Sequence, residues 1–531
     1  MNTSRRASTL HSPSFLATLA LVAIALPSAP SAQVGSVLSE QKISQTTGGF
    51  GGTLGPAGGF TESMGAVGDL DGDGNVDLAV GQPDDPDGGA AQGALWIVFL
   101  NADGSVNGQQ KISETNGGFG GVLDPNDRFG KSAAGLGDLD GDGVLDLAVG
   151  AYQDTDTGTV KGAVWILFLN ANGTVKTQQK INELNGGFGG DLDTTDYFGY
   201  SVAGLGDLDD DGVEDLAVGA VLDGKGAVWI LRLNSNGTVK AEQKISQADG
   251  GFGGTINGNE FASSLAGIGD LDGDGVEDLA VGQDGASDGG FQRGAVWILF
   301  LNADGTVSSE QKISQTSGGF GGMLSGGGLF GCSVCALDDL DGDGIEDLGV
   351  GQLLGNDGDT AQGAAWVLFL NTDGTVLDEQ KISATQGSFG GDLDANDNFG
   401  RSVAALGDLD GDGNVDMAVG ARNDDDGGSN LGAAWILFLA PENIAPTPLC
   451  PPLVWAIDGK VGPPGEVVFF SVPATDDHDP APTVLCVPPS GSTFPFGTTI
   501  VTCTATDAAG NQGVCMFPVT VVPTVWPRSQ L

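Results

Sequence analysis

The residues best suited to chemistry belong to a nine-residue acidic loop that occurs six times in the chain. The first copy reads Asp69-Leu70-Asp71-Gly72-Asp73-Gly74-Asn75-Val76-Asp77, and the others begin at Asp138, Asp207, Asp270, Asp339 and Asp408. Every copy has Asp at loop positions 1, 3, 5 and 9 and Gly at position 6. Two carboxylates about 4 Å apart repel each other by roughly 4 kcal/mol at an effective dielectric constant near 20, so such a loop needs a counter-ion.

A hard divalent cation with many oxygen ligands fits this pattern, and Ca²⁺ tolerates irregular geometry better than Mg²⁺. We therefore predict about six structural Ca²⁺ ions, one in each loop, held by the four carboxylates and the backbone carbonyl of position 7. The predicted ligands are Asp69, Asp71, Asp73, Asn75 and Asp77; Asp138, Asp140, Asp142, Val144 and Asp146; Asp207, Asp209, Asp211, Val213 and Asp215; Asp270, Asp272, Asp274, Val276 and Asp278; Asp339, Asp341, Asp343, Ile345 and Asp347; and Asp408, Asp410, Asp412, Asn414 and Asp416. Loop position 12 is Val in every copy, which excludes an EF-hand because that loop has an acidic ligand there. One copy alone could be an acidic solvated turn, whereas six matching copies favour metal binding.

The elements that must position these loops recur with them. Successive loops start 69, 69, 63, 69 and 69 residues apart. In each unit a Phe nine residues before the loop opens a run of small residues, predicted as an inner strand, and a Leu-Ala-Val-Gly run or a close variant follows the loop. A Trp-containing apolar run, an Asn-Gly or Asp-Gly turn or a close variant, and a Gln-Lys-Ile segment predict two more strands. Four strands in each of six repeats predict an all-β fold, a six-bladed β-propeller with seven blades as the alternative.

The two ends of the repeat array predict that the ring closes. The sixth unit stops after residues 435–439 without a Gln-Lys-Ile strand, and the chain begins with a single copy of that strand at residues 37–44. We expect the N-terminal strand to complete the last blade, because an open array would leave unpaired edges at both ends.

These motifs resemble the FG-GAP repeats of the integrin α-subunit propeller over roughly residues 35–440. The resemblance rests on the Phe-Gly pair, the Asp-x-Asp-x-Asp-Gly-x-x-Asp loop and the Gly-rich strands. It implies Ca²⁺ sites on one face of the propeller and ligand-binding loops on the other. Integrin propellers have seven blades with the loop in only some, and no leg domain, transmembrane helix or inserted adhesion domain is recognisable here. The chain therefore resembles freestanding bacterial members more than a receptor subunit.

The composition changes after residue 440, which predicts a second domain. Residues 441–446 are expected to be a linker and residues 524–531 a tail. Residues 447–523 resemble a hyalin repeat (HYR) domain, an immunoglobulin-like β-sandwich, through the run from Phe494 to Asn511. Its four Cys allow three pairings. We favour Cys450–Cys515, which would tie the ends of the domain, and Cys486–Cys503, which would join neighbouring strands.

The N-terminus and the charge indicate where the protein works. Residues 1–32, with Arg5, Arg6 and an apolar stretch from Phe15 to Leu26, are typical of a secretory signal. The propeller is therefore expected to occupy residues 33–440 of a secreted or extracellular monomer, with the cell surface or periplasm also possible. No other stretch is suited to span a membrane. A formal charge of −50 argues against nucleic acid or an anionic membrane as a partner.

Three further groups of residues have a structural and a functional interpretation. Cys332 and Cys335 form a Cys-x-x-Cys, but their positions match small or variable residues of the other units, so we expect no redox or zinc pair. The repeated Trp residues could stack on carbohydrate, but their apolar neighbours favour the blade core. The Phe of each Gly-Gly-Phe-Gly loop, or its variant, either plugs the space between blades or sits on an exposed rim.

We predict a non-enzymatic binding or adhesion module for an extracellular protein or glycan. His478 is the one His outside the predicted signal, and we find no acidic pair outside the loops, so hydrolase chemistry has little basis and no catalytic residue is assigned. The competing hypotheses are a propeller lyase or hydrolase acting on polysaccharide, and a structural envelope or matrix protein. A cluster of acidic, Arg or Tyr side chains on one face, outside the loops, would favour an enzyme, and a face lined by Gly and Ala would not.

Overall fold

The structure is a computed structural model that describes residues 33–55, 59–156, 158–440, 446–458, 465–475, 482–506 and 512–523. The predicted signal, the tail and most of the predicted linker lie outside these residues. The described residues form two compact units, 33–440 and 446–523. In the described part of the chain we find no helix that is long and apolar enough to cross a membrane.

The first unit is built from strands that repeat along the chain in sets of four. In chain order they are β1 (Val37–Ile43), β2 (Ser63–Gly68), β3 (Asp77–Gln82), β4 (Ala94–Leu100), β5 (Val106–Ile112), β6 (Ser132–Gly135), β7 (Leu147–Ala151), β8 (Ala163–Leu169), β9 (Val175–Ile181), β10 (Phe198–Gly204), β11 (Leu216–Ala220), β12 (Ala227–Leu233), β13 (Val239–Ile245), β14 (Phe261–Gly267), β15 (Leu279–Gln283), β16 (Ala295–Leu301), β17 (Val307–Ser314), β18 (Phe330–Ala336), β19 (Leu348–Gln352), β20 (Ala364–Leu370), β21 (Val376–Ile382), β22 (Phe399–Gly407), β23 (Asp416–Ala421) and β24 (Ala433–Leu439). The four-stranded sheets are β2–β5, β6–β9, β10–β13, β14–β17, β18–β21, and β22–β24 with β1. These repeated sheets confirm the all-β propeller fold.

The sheets form a closed circle within the described residues. The inner strands contact one another in the order β2, β6, β10, β14, β18, β22 and again β2. β1 pairs antiparallel with β24, with Lys42 opposite Trp435 and Ile43 opposite Ala434. This pairing confirms that the N-terminal strand completes the last sheet.

A serine three residues after the inner Phe joins each sheet to the next. Its hydroxyl donates a hydrogen bond to a backbone carbonyl at the start of the neighbouring inner strand. The bonds run from Ser63 to Gly130 (3.1 Å), Ser132 to Gly199 (3.1 Å), Ser201 to Ala262 (2.7 Å), Ser264 to Gly331 (2.9 Å), Ser333 to Gly400 (3.1 Å) and Ser402 to Thr61 (2.8 Å). The last bond joins the sixth sheet to the first. This role was not predicted from the sequence, although the serine recurs at a constant spacing.

Aromatic side chains fill the space between sheets. The third strand of each sheet, such as β8, is buried because it lies between two neighbouring sheets, with Arg232 of β12 as the one partly exposed residue. The Trp of that strand and the loop Phe are both buried, with Trp165 5% and Phe119 6% exposed. The Phe119 ring centroid lies 5.1 Å from that of Phe129 and 5.0 Å from that of Trp165. The Trp residues therefore belong to the core, and the loop Phe plugs the space between blades.

The second unit is also all-β. Its strands are β25 (Thr447–Pro448), β26 (Val454–Asp458), β27 (Glu466–Val468), β28 (Ala474–Thr475), β29 (Thr483–Val487), β30 (Ser492–Phe494), β31 (Gly497–Thr506) and β32 (Gln512–Pro523). The main sheet has the order β26-β32-β31-β29, and the short pairs are β25-β28 and β27-β30. The disulfides Cys450–Cys515 and Cys486–Cys503 are the two pairings that the sequence favours. Phe494, Val501 and Phe517 belong to the small core beside them.

Candidate metal centres and axial pocket

Each acidic loop connects an inner strand to the second strand of its sheet, so the ring places the loops at one end of the inner strands. In the second unit of the repeat, β6 ends at Gly135 and β7 begins at Leu147. Gly143, at loop position 6, has φ of +89°, a left-handed conformation that favours Gly. This turn lets its N–H donate to Asp138 Oδ2 at 2.8 Å. The same bond from position 6 to position 1 forms in every loop.

Three of the four Asp side chains of a loop converge. Ligand atoms of positions 1, 3 and 9 lie within 4.8 Å of one another in the groups Asp69, Asp71 and Asp77; Asp138, Asp140 and Asp146; Asp207, Asp209 and Asp215; Asp270, Asp272 and Asp278; and Asp339, Asp341 and Asp347. The sixth loop has the same hydrogen-bond pattern, with the Gly413 N–H donating to Asp408 and the Leu409 N–H to Asp416. Converging carboxylate oxygens are the donor set that Ca²⁺ prefers.

The Asp at position 5 makes a different contact. The Asp142 side chain accepts the Val144 N–H at 2.9 Å, and its counterpart does the same in every loop. Position 5 is not a member of the five three-carboxylate groups above. The assignment of position 5 and of the position 7 carbonyl as ligands stays a prediction.

The Asp at position 9 anchors the loop to the sheet. Asp146 Oδ2 accepts the Leu139 N–H at 3.1 Å and its Oδ1 accepts the Leu169 N–H at 3.0 Å, at the end of the third strand. Burial, with the neighbouring loop carboxylates, raises the pKa of this carboxyl above its usual range in all six loops. The raised pKa values are about 7 for Asp77, 6 for Asp146, 6 for Asp215, 7 for Asp278, 8 for Asp347 and 7 for Asp416.

These raised pKa values predict how the stability of the metal-free protein depends on pH. Because the folded state binds these protons more tightly than the unfolded state, their contribution is complete below the unfolded pKa of 3.8 and is lost as pH rises through about 6 to 8. We expect the melting temperature of desalted, metal-free protein to rise by several degrees as pH falls from about 8 to about 5. Calcium-loaded protein is the control and should lack this rise, since bound Ca²⁺ favours the ionised carboxylates. A metal-free melting temperature that falls with acidification would contradict the prediction.

Two loops also contact a lysine of their own blade. Lys176 Nζ lies 2.7 Å from Asp140 Oδ2 and 2.5 Å from Asp142 Oδ2. Lys240 makes the equivalent ion pairs with Asp209 and Asp211. In the second and third loops an ammonium group thus partly neutralises the carboxylates, and it would have to move aside for a cation to use these oxygens.

A second polar cluster lies at the ring axis, at the opposite end of the inner strands from the loops. It occupies a repeat position two residues after the inner Phe, where the six units place Glu62, Lys131, Tyr200, Ser263, Cys332 and Arg401. These side chains line a cavity of about 90 Å³ with an apolar floor that includes Met64, Val202 and Leu265. The cluster was not predicted from the sequence, where this position looks merely variable, because the residues that meet here are far apart along the chain.

Glu62 is the centre of the cluster. Its carboxylate is 6% exposed, lies 2.8 Å from Lys131 Nζ, and also contacts Arg401. Arg422 Nε is 2.7 Å from Glu62 Oε2 but is not aligned for a hydrogen bond. Burial alone would raise the pKa of Glu62, but Arg401, Lys131 and Arg422 hold it well below its usual range. Asp84, on the rim, contacts both Arg128 and Arg422.

An acidic pair outside the loops also faces this cluster, so the expectation that none exists is wrong. Burial and the neighbouring Glu260, which is hydrogen-bonded to it, raise the pKa of Asp284. Glu260 directly precedes the inner Phe of its unit, and Asp284 follows the second strand, so both lie near the axis only because the strands converge there. Burial also raises the pKa of Tyr200 to about 12, although the nearby Arg401 lowers it.

The cavity at the other end of the ring axis is lined by different types of residue. Small residues such as Gly65, Ala66 and Gly135 line it, together with Glu214, around a cavity of about 260 Å³. Cys335 points away from Cys332 and packs against Gly349 on the next strand, and both thiols are free and buried. Burial raises their pKa values to about 12 and about 11 respectively, which fits inert core thiols.

Comparison with known proteins identifies the repeats. The FG-GAP repeat model matches residues 63–98, 129–167 and 399–437, an FG-GAP-like repeat model matches residues 207–281, and the HYR domain model matches residues 449–521. These matches confirm the resemblances inferred from the motifs.

Curated relatives are integrin α-subunits. Integrin alpha-3 of Cricetulus griseus is 34% identical over 192 residues, which are 36% of this chain and 16% of the relative. Integrin alpha-PS2 of Drosophila melanogaster is 30% identical over 257 residues, 46% of this chain and 17% of the relative. Integrin alpha-6 of Gallus gallus is 40% identical over 147 residues, 27% of this chain and 12% of the relative. The matched region thus spans less than a fifth of each relative.

Proposed function

We propose that this chain, which contains FG-GAP repeats and an HYR domain, is a secreted Ca²⁺-binding propeller that acts as a non-catalytic extracellular binding or adhesion module. The proposed propeller is residues 33–440 and the HYR domain is residues 447–523, after a signal at 1–32. Its partner is an extracellular protein or glycan. The observation that carries the proposal is the convergence of the Asp carboxylates at loop positions 1, 3 and 9 in equivalent places around one ring.

Bound Ca²⁺ would act on stability rather than on a reaction. The ion would relieve the repulsion between the converging carboxylates and stabilise the loop that connects the first two strands of each blade. The four Asp residues of each loop and the position 7 carbonyl are the proposed ligands. Because the unfolded chain lacks these assembled sites, binding adds to the folding free energy. A rigid, closed ring would then present its opposite face to the partner.

Calcium stoichiometry tests the metal part of the proposal. We expect calorimetry on the metal-free full chain to give about six ions, and Asp71→Asn to remove one of them while the protein stays folded. Asp378→Asn, which removes an exposed carboxylate from β21, is the matched control and should leave the stoichiometry unchanged. A count of one or two ions for the unaltered protein would contradict the proposal, since most loops would then be solvated turns.

The axial cluster is the observation that favours the second candidate, an extracellular polysaccharide lyase or hydrolase. Two features of the cluster argue for binding instead. Glycosidase carboxyl groups stand roughly 5–9.5 Å apart, whereas Glu260 and Asp284 are hydrogen-bonded to each other. The cavity of about 90 Å³ is also well below the roughly 300 Å³ of small-molecule pockets. Release of unsaturated uronate or reducing sugar from acidic polysaccharides, lost in Tyr200→Phe, would establish the enzyme and overturn the binding proposal.

A further inference from the structure

The side chains that surround the pocket at the ring axis differ from unit to unit, whereas most other key positions of the repeat keep the same residue. The inner Phe, the bridging serine, the loop Asp residues and the third-strand Trp are the same in all six units. The side chains at three positions of each unit near the axis differ from unit to unit instead. These positions are the residue before the inner Phe, the second residue after that Phe, and the second residue after the Gly of the second strand. Two of the three are cationic in the second and sixth units, two are acidic in the fourth, and all three are apolar in the fifth. A scaffold role alone would not require six different side chains at equivalent positions.

The backbone supports a role for these side chains. The residue before the inner Phe has a left-handed φ in every unit, between +58° and +68°, although five of the six are not Gly. They are Gly59, Arg128, Tyr197, Glu260, Leu329 and Asn398. Residues other than Gly are disfavoured in this region, and those that adopt it concentrate at functional sites. The chain thus keeps specific side chains at the rim where Gly would be easier.

The tyrosines are concentrated at the same place. The chain has three Tyr, and all of them lie on one side of the axis. The Tyr152 ring centroid is 5.0 Å from that of Tyr197 and 5.3 Å from that of Tyr200. Lys131 Nζ lies 4.0 Å from the Tyr200 ring centroid. Tyr side chains near a charged pocket are typical of recognition surfaces.

The charge balance indicates the sign of the ligand. Among the residues that line the cavity, Glu62 is the one carboxylate, and it is shared by Lys131, Arg401 and the neighbouring Arg422. Asp84 pairs with Arg128 and Arg422 on the rim, and the raised pKa of Asp284, about 7, leaves that carboxyl only partly ionised at neutral pH. Arg401 Nε and Arg422 Nε are buried and make no hydrogen bond, although Arg422 Nε forms an ion pair with Glu62. Burial, with the nearby Arg401 and Arg422, lowers the pKa of Lys131 to about 8 although Glu62 raises it. A buried donor without an acceptor carries a desolvation penalty, which an incoming anion would relieve.

The size of the cavity indicates which kind of ligand carries the negative charge. Its volume of about 90 Å³ is well below the roughly 300 Å³ of small-molecule pockets. This accommodates the end of one side chain rather than a sugar ring. The rim is accessible, because Arg422 keeps 34% and Arg128 keeps 30% of their side-chain surface exposed. The apolar floor, with Val334 and Val403, suits the methylene groups behind a carboxylate.

We propose that this axial pocket binds the carboxylate of a Glu or Asp side chain presented by a protein ligand. Arg401 and Arg422 donate to the carboxylate oxygens, Lys131 supplies a further positive charge, and the Tyr side chains pack beside the peptide. This inference rests on the proposed binding function and names the chemistry of its partner.

The test compares short peptides on the calcium-loaded full chain by titration calorimetry or NMR. The probes are acetyl-Gly-Gly-Xaa-Gly-Gly-amide with Glu, Gln or Lys at Xaa, and sodium glucuronate. We expect the Glu peptide to bind at least tenfold more tightly than the Gln peptide. Arg422→Gln, at the partly exposed rim, should weaken binding of the Glu peptide at least tenfold. Lys161→Gln is the matched control, since Lys161 forms an ion pair with Glu183 on the same end of the blades outside the pocket, and it should change the affinity less than twofold.

Several outcomes would overturn the inference. Equal binding of the Glu and Gln peptides, or no binding of the Glu peptide at its solubility limit, would do so. If the Lys peptide bound more tightly than the Glu peptide, the pocket would be assigned to a cation. If glucuronate bound more tightly than the Glu peptide, it would be assigned to an acidic glycan. Calcium stoichiometry on the same samples separates this failure from that of the proposed function. About six bound ions without Glu-peptide binding would overturn only the pocket assignment.

Discussion

Removal of calcium is expected to lower the melting temperature of the propeller by on the order of 15–20 °C. A site filled at a hundred times its dissociation constant adds about 2.7 kcal/mol to stability, so six such sites add at most about 16 kcal/mol if the ring unfolds as one unit. With an unfolding entropy of roughly 2.1 cal/mol/K per residue, this gives the stated shift for a unit of roughly 400 residues. Differential scanning calorimetry with and without excess chelator measures it directly.

The controls for this experiment separate calcium from ionic strength. Restoring Ca²⁺ above the chelator concentration should recover the original transition, while the same concentration of Mg²⁺ should recover much less, because Mg²⁺ demands near-octahedral geometry and retains its water. Asp71→Asn should give a smaller shift than the unaltered protein, since one site of the ring is weakened. An unchanged melting curve in excess chelator would show that the acidic loops do not stabilise the fold through metal.

The second large effect is expected from the strand that closes the ring. Ile43 on β1 is 1% exposed and belongs to the core cluster that contains Phe60, Trp96 and Ile436. Ile43→Asp should destabilise the propeller by on the order of 5 kcal/mol, because it removes a core side chain and places an unpaired charge there. With the same unfolding entropy per residue, the melting temperature should fall by about 6 °C.

The matched control uses the same substitution at an exposed position of the same strand. Leu38 is 52% exposed, so Leu38→Asp should change the melting temperature by less than about 1 °C. Limited proteolysis adds a direct test of closure: in Ile43→Asp the N-terminal segment should be cleaved much faster than in Leu38→Asp. Equal melting temperatures and equal cleavage for the two variants would contradict closure of the ring through β1.

Much of the fold follows from local patterns repeated along the chain. Each unit contains its own strand sequence, turn residues and acidic loop, so the six matching copies predict four strands in each unit and Asp side chains gathered in each loop. Which of those Asp converge, positions 1, 3 and 9, was seen only in the structure. The missing fourth strand of the last unit and the extra strand before the first predict closure for the same reason. The loop Phe and the Trp were harder to assign, because burial depends on the neighbouring sheet as well as on the residue type.

The axial pocket was not predictable in this way. Glu62 contacts Arg401 and Arg422, which lie 339 and more residues away along the chain. No spacing within a unit encodes those contacts, and the position looks merely variable when the units are aligned. The chain by itself determined the repeat, the strands and the acidic loops, since these depend on residues that are near one another in sequence. Closure of the ring decided which charges meet at the axis, because only the tertiary structure brings the starts of all the inner strands to one point.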